Sequence, residues 1–502
     1  MTLLDARRVS RGGAIGVAGA AVNGVLGFVL TTVLTRVYGV DGAGVLFTVI
    51  GLVTIAGAVC CLGADTALMW AMPRLQPVDN PVEPSSSSAT VTPTQCRGGG
   101  GGGSRAKIKN RPDRERGMLV ATALIPSISV AVLVAIAGVA LAEPLARALD
   151  LPDPTLLRMA FGGVPLIVAA TVLMAAVRAT RPVTAYVAVQ FVLVPLLRPA
   201  LLVAAGGSLL LGFGAWLAPL TAALVIGAVL APRPKKPKAW RVFWGYALPR
   251  AASAAVDASS MWVGVLLTGA LSGPGEAGLF AAAGRYALAG LLIMQGLRVA
   301  MAPHLSRLLG GRGAGQRHEA ATLYRKTTQA IVALSFPAYL LLAVFAPAFL
   351  GLFGGDFPRA AGPLAVLAGA MLVNVGVGLA QTVLLMSGNS RGHLYATLTG
   401  LAANVAAALL LVPRYGAMGA ALAWSLGIVA ENVIAAALAR RALREPLSSR
   451  PLWLTAAGVT AVTGLAAAAG VVAGGRGLGG LATALALLLP VVLVAAVLRG
   501  RR

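Results

Sequence analysis

Apolar runs of eighteen residues or more recur along the whole 502-residue chain, and this recurrence limits the fold more than any other feature. A run of that length crosses a hydrocarbon core of ~30 Å as a helix. Inside lipid every backbone N–H and C=O must be satisfied within the segment or in a closed barrel. A barrel would show alternating segments of about ten residues, whereas these runs are continuous. With 58% apolar and 11% charged residues, the expected class is an all-α integral membrane protein of about fourteen transmembrane helices. The spans are expected near 13–35, 43–72, 117–141, 158–177, 183–205, 208–230, 243–270, 278–302, 328–350, 360–386, 393–412, 416–439, 451–473 and 478–498.

Charge placement supports this map. With the N-terminus in the cytoplasm, 31 of the 41 basic residues fall on inner segments, six on outer loops and four within spans. That bias follows the positive-inside rule. It also accounts for the net charge of +25 without nucleic acid, because the charge faces an anionic leaflet. The chain is therefore expected in the plasma (inner) membrane, multi-pass, with both termini cytoplasmic. Arg7, Arg8 and Arg11 before an apolar run resemble a signal peptide, but the run to Leu34 is too long for a cleaved segment.

Residues 76–116, rich in Pro, Ser and Gly, are expected to be a disordered cytoplasmic loop whose basic half can rest on lipid headgroups. The basic linker at 231–242 divides the array into two sets of six. The expected units are an N-lobe over 1–230, a C-lobe over 243–440 and two further helices over 451–498. Six is an even number of crossings, so the lobes are expected to be parallel repeats. Pro126 answers Pro337, and Val164-Pro165-Leu166 answers Gly362-Pro363-Leu364.

Soluble-enzyme motifs are absent, and the expectation is a non-enzyme. Gly475-x-Gly477-x-x-Gly480 fits a dinucleotide pattern but lies between two membrane helices with no preceding strand. Cys60, Cys61 and Cys96 show no metal spacing, and His304, His318 and His393 sit at loop edges. No metal or cofactor is expected.

What remains is charge inside the spans. A charged side chain near mid-bilayer costs at least ~2.5 kcal/mol, so it normally faces protein or water. Arg285 lies in the run 279–302, at a depth similar to that of Asp257 on the preceding span. Two readings stand: a structural Asp257–Arg285 ion pair, or an arginine lining a cavity and meeting an anionic headgroup. Guanidinium suits the second because its planar fork binds phosphate bidentately. Arg198 is a further cavity candidate, and Arg250 and Arg298 are expected to be snorkelling anchors. Asp65 and Glu431 are candidates for coupling a proton or a sodium ion. Polar amides such as Asn374, Gln381, Asn404 and Asn432 are expected to bond across helix contacts.

The opening tract RGGAIGVAGAAVNGVLGFVLTTVLTRVYGVDGAGVLFTVIGLVTIAGAVCCLGADTAL resembles the polysaccharide and oligosaccharide-lipid flippases of the multidrug/oligosaccharidyl-lipid/polysaccharide exporter superfamily. So do GLFAAAGRYALAGLLIMQGLRVAMAPHLSRL and GGDFPRAAGPLAVLAGAML. So does LMSGNSRGHLYATLTGLAANVAAALLLVPRYGAMGAALAWSLG, with its Asn404, Val412-Pro413 and Tyr415-Gly416. The likeness covers nearly the whole chain outside 76–116. It implies flipping of a polyprenyl-pyrophosphate-linked oligosaccharide from the inner to the outer leaflet by alternating access. It also implies a cavity-lining role for Arg285, as in the related lipid II flippases, and working partners among membrane lipids and glycan-assembly enzymes. A multidrug/cation antiporter of the same superfamily is the first alternative; it would want cavity carboxylates. A membrane glycosyltransferase or ligase is the second; it would want larger outer loops.

Overall fold

A computed structural model describes residues 3–72, 111–237, 240–310 and 313–500. Among the described residues the chain is all helix, in the order α1 (Leu3–Cys60), α2 (Ala64–Ala71), α3 (Arg111–Ala140), α4 (Ala142–Ala148), α5 (Pro154–Gly162) and α6 (Val164–Thr180). Next come α7 (Val183–Val187), a π turn over Ala188–Leu193, α8 (Val194–Ala204), α9 (Leu209–Leu217), α10 (Pro219–Leu230), α11 (Trp240–Ser272), α12 (Pro274–Ala289) and α13 (Leu292–Gly310). The rest is α14 (Ala314–Val344), α15 (Ala346–Gly351), α16 (Ala361–Val377), α17 (Ala380–Met386), α18 (Ser390–Leu443), α19 (Arg450–Gly474) and α20 (Leu478–Gly500). Each of the fourteen expected stretches falls on helix. Nine helices among the described residues are long and apolar enough to cross a membrane, ten when α12 and the start of α13 are taken as one bent span.

Two of these helices, α1 and α18, are hairpins. At 54 residues α18 would run about 80 Å if straight. Instead Gly416 takes φ 51° and ψ −128°, a backbone open to glycine and closed to most residues. The chain folds back there, so that a β-carbon on Gly400 would lie 2.8 Å from Cβ of Glu431. Gly39 does the same for α1, where residues 28 and 50, equidistant from the turn, line one cavity.

The turns gather at one end. Ala417 N donates to Glu276 Oε2 (2.7 Å), Ser272 Oγ to the carbonyl of Val412 (2.8 Å), and Arg36 Nε to the carbonyl of Leu352 (2.9 Å). Asp150 approaches Gly273 at the same end. This is the end that the charge map leaves poor in basic residues. Here α1 and α12 pack backbone to backbone. A β-carbon on Gly44 would collide with the carbonyl of Pro274, and one on Gly278 with the carbonyl of Val40. Small residues permit such approach where lipid supplies no hydrophobic drive between helices.

The expected helices are less regular than the sequence suggests. The span expected at 43–72 breaks at Cys61–Gly63, where Leu62 (φ 51°) and Gly63 (φ 71°) are left-handed. Ser127 Oγ donates to the Cys61 carbonyl (3.2 Å), which also accepts from Ala64 N (2.8 Å), so α3 is tied to the break. The span expected at 278–302 bends by 42° between α12 and α13. Tyr339 holds that bend: its hydroxyl donates to the Ala287 carbonyl (2.9 Å), and its ring fills the space beside Gly290. The span expected at 360–386 is interrupted at Gly378 (φ 67°). Most of the expected loop 76–116 lies outside the described residues; its last six positions belong to α3, a helical start that its Pro and charge content masked. The linker at 231–242 is likewise shorter than expected, since α11 begins at Trp240.

At the opposite end Glu445 ties the α18–α19 connection to α14. It accepts from Arg325 Nη1 (3.1 Å) and meets His318 Nδ1 (2.6 Å). These bonds, first His318 and then Arg325, hold its carboxyl below the usual carboxylate range. A depressed carboxylate pKa contributes stability above the unfolded value near ~4.3 and loses it as pH falls through the folded value. Glu445→Gln is therefore expected to lower the melting temperature at pH 7 by no more than ~2 °C, because the cluster is open to solvent on its His318 side. The gap to the wild type should close on acidification below about pH 4. A gap unchanged by acid would separate the effect from this ion pair.

Candidate functional site

A cavity of about 640 Å³ lies in the middle of the bundle, lined by both arms of the α1 hairpin, α2, α6, α8, α9, α10, α11, α12 and α13. Three sequence candidates meet there: Arg198 from α8, Arg285 from α12 and Asp65 from α2. The other two are not on its wall as described. Glu431, on α18, accepts from Gln381 Nε2 (2.8 Å) and Thr397 Oγ1 (3.1 Å), a polar contact between helices. The side chain of Asp257 lies outside the described residues.

Arg198 is placed by breaks in two helices. The stretch before it is a π turn, and Pro195 and Pro199 flank it. On the facing span α9 ends at Leu217, because Pro219 cannot donate a backbone N–H. A last-turn carbonyl of α9 is thereby left for another donor. Arg198 Nε takes the Trp216 carbonyl (3.1 Å), and its guanidinium lies 4.4 Å from the centre of the Trp216 ring. Nε is used in this way, and the terminal nitrogens are left for the cavity.

Among the described residues Arg285 is held by rings. Its guanidinium stands 5.5 Å from the centre of the Trp262 ring and 5.8 Å from that of Phe47. Cation–π contacts contribute ~0.5–2 kcal/mol each, more when water is excluded. Trp262 is 8% exposed and wedged against Gly51, so the ring is itself immobile. No carboxylate among the described residues forms an ion pair with Arg198 or Arg285, and the two guanidiniums repel each other across the cavity. Sequence reasoning had no signal for Trp216 or Trp262; a lone tryptophan in an apolar run reads as core or interface.

Asp65 sits toward the other end of the cavity. From residue 50 to residue 65 the chain advances about 20 Å along the span. Asp65 lies in the first turn of α2, just past the break, where the helix dipole favours negative charge. The nearest side-chain bond it receives is a long one from Thr66 Oγ1 (3.4 Å). Asn23 and Thr54 add polar groups to the same wall. The cavity thus carries two cations near the Gly39 end and one anion away from it. At the Gly39 end it is shut by the Gly44–Gly278 contact and by the clustered rings of Phe28, Tyr286 and Phe353.

The fold around this cavity has counterparts among solved structures. Over 94% of this chain and 97% of the other, it superposes on the lipid II flippase MurJ in its inward closed conformation, with a TM-score of 0.67 and 11% identity. The fold is that of the multidrug/oligosaccharidyl-lipid/polysaccharide exporters. An inward-facing multidrug resistance MATE family transporter of that MOP superfamily matches with a TM-score of 0.64 and 14% identity, over 84% of this chain and 94% of that one. A MOP superfamily transporter from Pyrococcus furiosus, described as having a binding pocket of reverse polarity, matches at 0.58 and 14% over 87% and 96%. No protein-family model and no curated protein matches the chain in sequence. The MOP fold explains why residues more than two hundred positions apart share one wall: α1 from the first half meets α11 and α12 from the second across the central cavity.

Proposed function

We propose that the chain is a transporter that flips a polyprenyl-pyrophosphate-linked oligosaccharide from the inner to the outer leaflet by alternating access. The observation that carries this reading is the pair of arginines, one from each half, facing a central cavity with no described carboxylate partner. An unpaired cation at hydrocarbon depth is unfavourable unless something negative visits it. A pyrophosphate supplies that charge. The cavity volume lies within the ~300–1,000 Å³ of drug-sized sites, which fits a headgroup while the lipid tail stays in the bilayer. The likeness to a lipid II flippase supports the same cargo class. In this reading the basic-rich end is cytoplasmic, the membrane is the inner one, and the two sets of helices rock about the cavity as lobes. Glycan-assembly enzymes would supply the cargo.

Asp65 is assigned to coupling: as the cavity's carboxylate it takes up a proton or a sodium ion, which lets the empty protein return. Glu431 is the second coupling candidate. The MATE likeness and Asp65 favour a multidrug/cation antiporter as the second reading. One experiment separates the two. Purified protein in vesicles is expected to move a fluorescent polyprenyl-pyrophosphate oligosaccharide and to leave ethidium where it is. Ethidium movement without glycan movement would reverse the assignment. Asp65→Asn is expected to retain downhill flipping while losing its dependence on an imposed proton or sodium gradient. Gradient dependence equal to that of the wild type would remove Asp65 from coupling.

A further inference from the structure

The end of the bundle that is poor in basic residues nevertheless brings two of them together. Arg36, near the turn of the α1 hairpin, and Arg476, between α19 and α20, line one cleft of about 590 Å³ with Leu352 and Gly477. We propose that this cleft binds the phosphate of an anionic lipid at the outer rim of the membrane. The proposal rests on the orientation given above, in which this end faces outward.

Three observations carry it. No carboxylate lines the cleft, and neither arginine forms an ion pair among the described residues. Two like charges thus face one opening without compensation, in a chain that puts six of its 41 basic residues on outer loops. Secondly, Arg36 is already oriented. Its Nε donates to the Leu352 carbonyl (2.9 Å), which leaves the two terminal nitrogens as a fixed fork. A guanidinium held in this way loses little further freedom on meeting a phosphate. Thirdly, Arg476 is delivered by a hairpin built for close approach. β-carbons at Gly474 or Gly480 would strike the backbone of the facing arm. Of the Gly475-x-Gly477-x-x-Gly480 pattern, Gly480 serves that packing and Gly475 takes the left-handed turn (φ 66°). The hairpin is docked on α14 through Phe345, Ala466, Leu481 and Ala484. The two helices beyond the sixfold arrays therefore supply the second arm of the cleft.

The chemistry recognised is a phosphate ester, bound through charge-assisted bonds from two guanidiniums. It can come from a resident phospholipid or from the cargo after flipping. The test uses full-length protein, Arg36→Gln/Arg476→Gln, and Arg36→Lys/Arg476→Lys as a charge-retaining control. In nanodiscs of phosphatidylcholine with phosphatidylglycerol, wild-type protein extracted into detergent is expected to retain phosphatidylglycerol at least tenfold more than the glutamine variant. The lysine variant should fall between them. A second arm measures flipping of the polyprenyl-pyrophosphate glycan. Slower flipping by the glutamine variant in pure phosphatidylcholine vesicles assigns the site to the cargo. Stimulation by phosphatidylglycerol that only the wild type shows assigns it to phospholipid. Equal retention and equal flipping by all three proteins would overturn the proposal. Arginine-dependent lipid retention in a wild type that flips nothing would keep this site and reject the flippase reading.

Discussion

Arg285→Ala is expected to abolish flipping, by about a hundredfold or more, while the protein still reaches the membrane and purifies as a folded species. Among the described residues the guanidinium is held by the Trp262 and Phe47 rings, so its removal breaks no ion pair there. What is lost is a bidentate, charge-assisted contact to the cargo, on the order of 3 kcal/mol, or about a hundredfold. Arg285→Lys should recover part of the activity, because an ammonium keeps the charge and loses the fork. Arg198→Ala should fall less, about tenfold, since one of its donors is committed to the Trp216 carbonyl. If Arg285 instead serves a structural pair with Asp257, alanine should reduce folded yield and the charge-swapped pair should restore it. Normal flipping by Arg285→Ala in a well-folded preparation would remove the cargo role altogether.

The second large effect is expected at the closed end of the cavity. Gly44→Val places a branched side chain where the Pro274 carbonyl stands, and Gly278→Val does the same against the Val40 carbonyl. Neither obstacle is a flexible side chain; both are helix backbone, so α1 and α12 must part. The closed arrangement described here should become inaccessible. A thiol introduced at Thr54, on the cavity wall behind the seal, should then react with a membrane-impermeant reagent from the Gly39 end at least tenfold faster than in the parent. Flipping should fall by a similar factor, because a cavity that cannot close at one end cannot alternate. Should both valine variants fold, remain sealed and flip normally, the glycine contact is not the gate.

Hydropathy and charge spacing were enough to locate fourteen helical stretches, because each must be apolar over its own length and each reversal must alternate the side on which lysine and arginine collect. These are local constraints, and local sequence carries them. The breaks were less legible. Cys60-Cys61-Leu62-Gly63 is as apolar as the helix around it, and the Ser127 bond and the left-handed Leu62 and Gly63 mark the interruption that presents Asp65. The 42° bend beside Arg285 likewise depends on Tyr339 arriving from α14.

Sequence alone determined that this chain is a stack of membrane helices with a few charges in the wrong solvent, and it named Arg198, Arg285, Asp65, Asp257 and Glu431 one by one. Tertiary structure decided which of them share a wall. Arg198, Arg285 and Asp65 do, while Glu431 is occupied between helices. The physical reason is that burying a charge is a property of a single residue in its span. Meeting a common ligand is a property of helices hundreds of residues apart, set by where glycine lets two backbones touch.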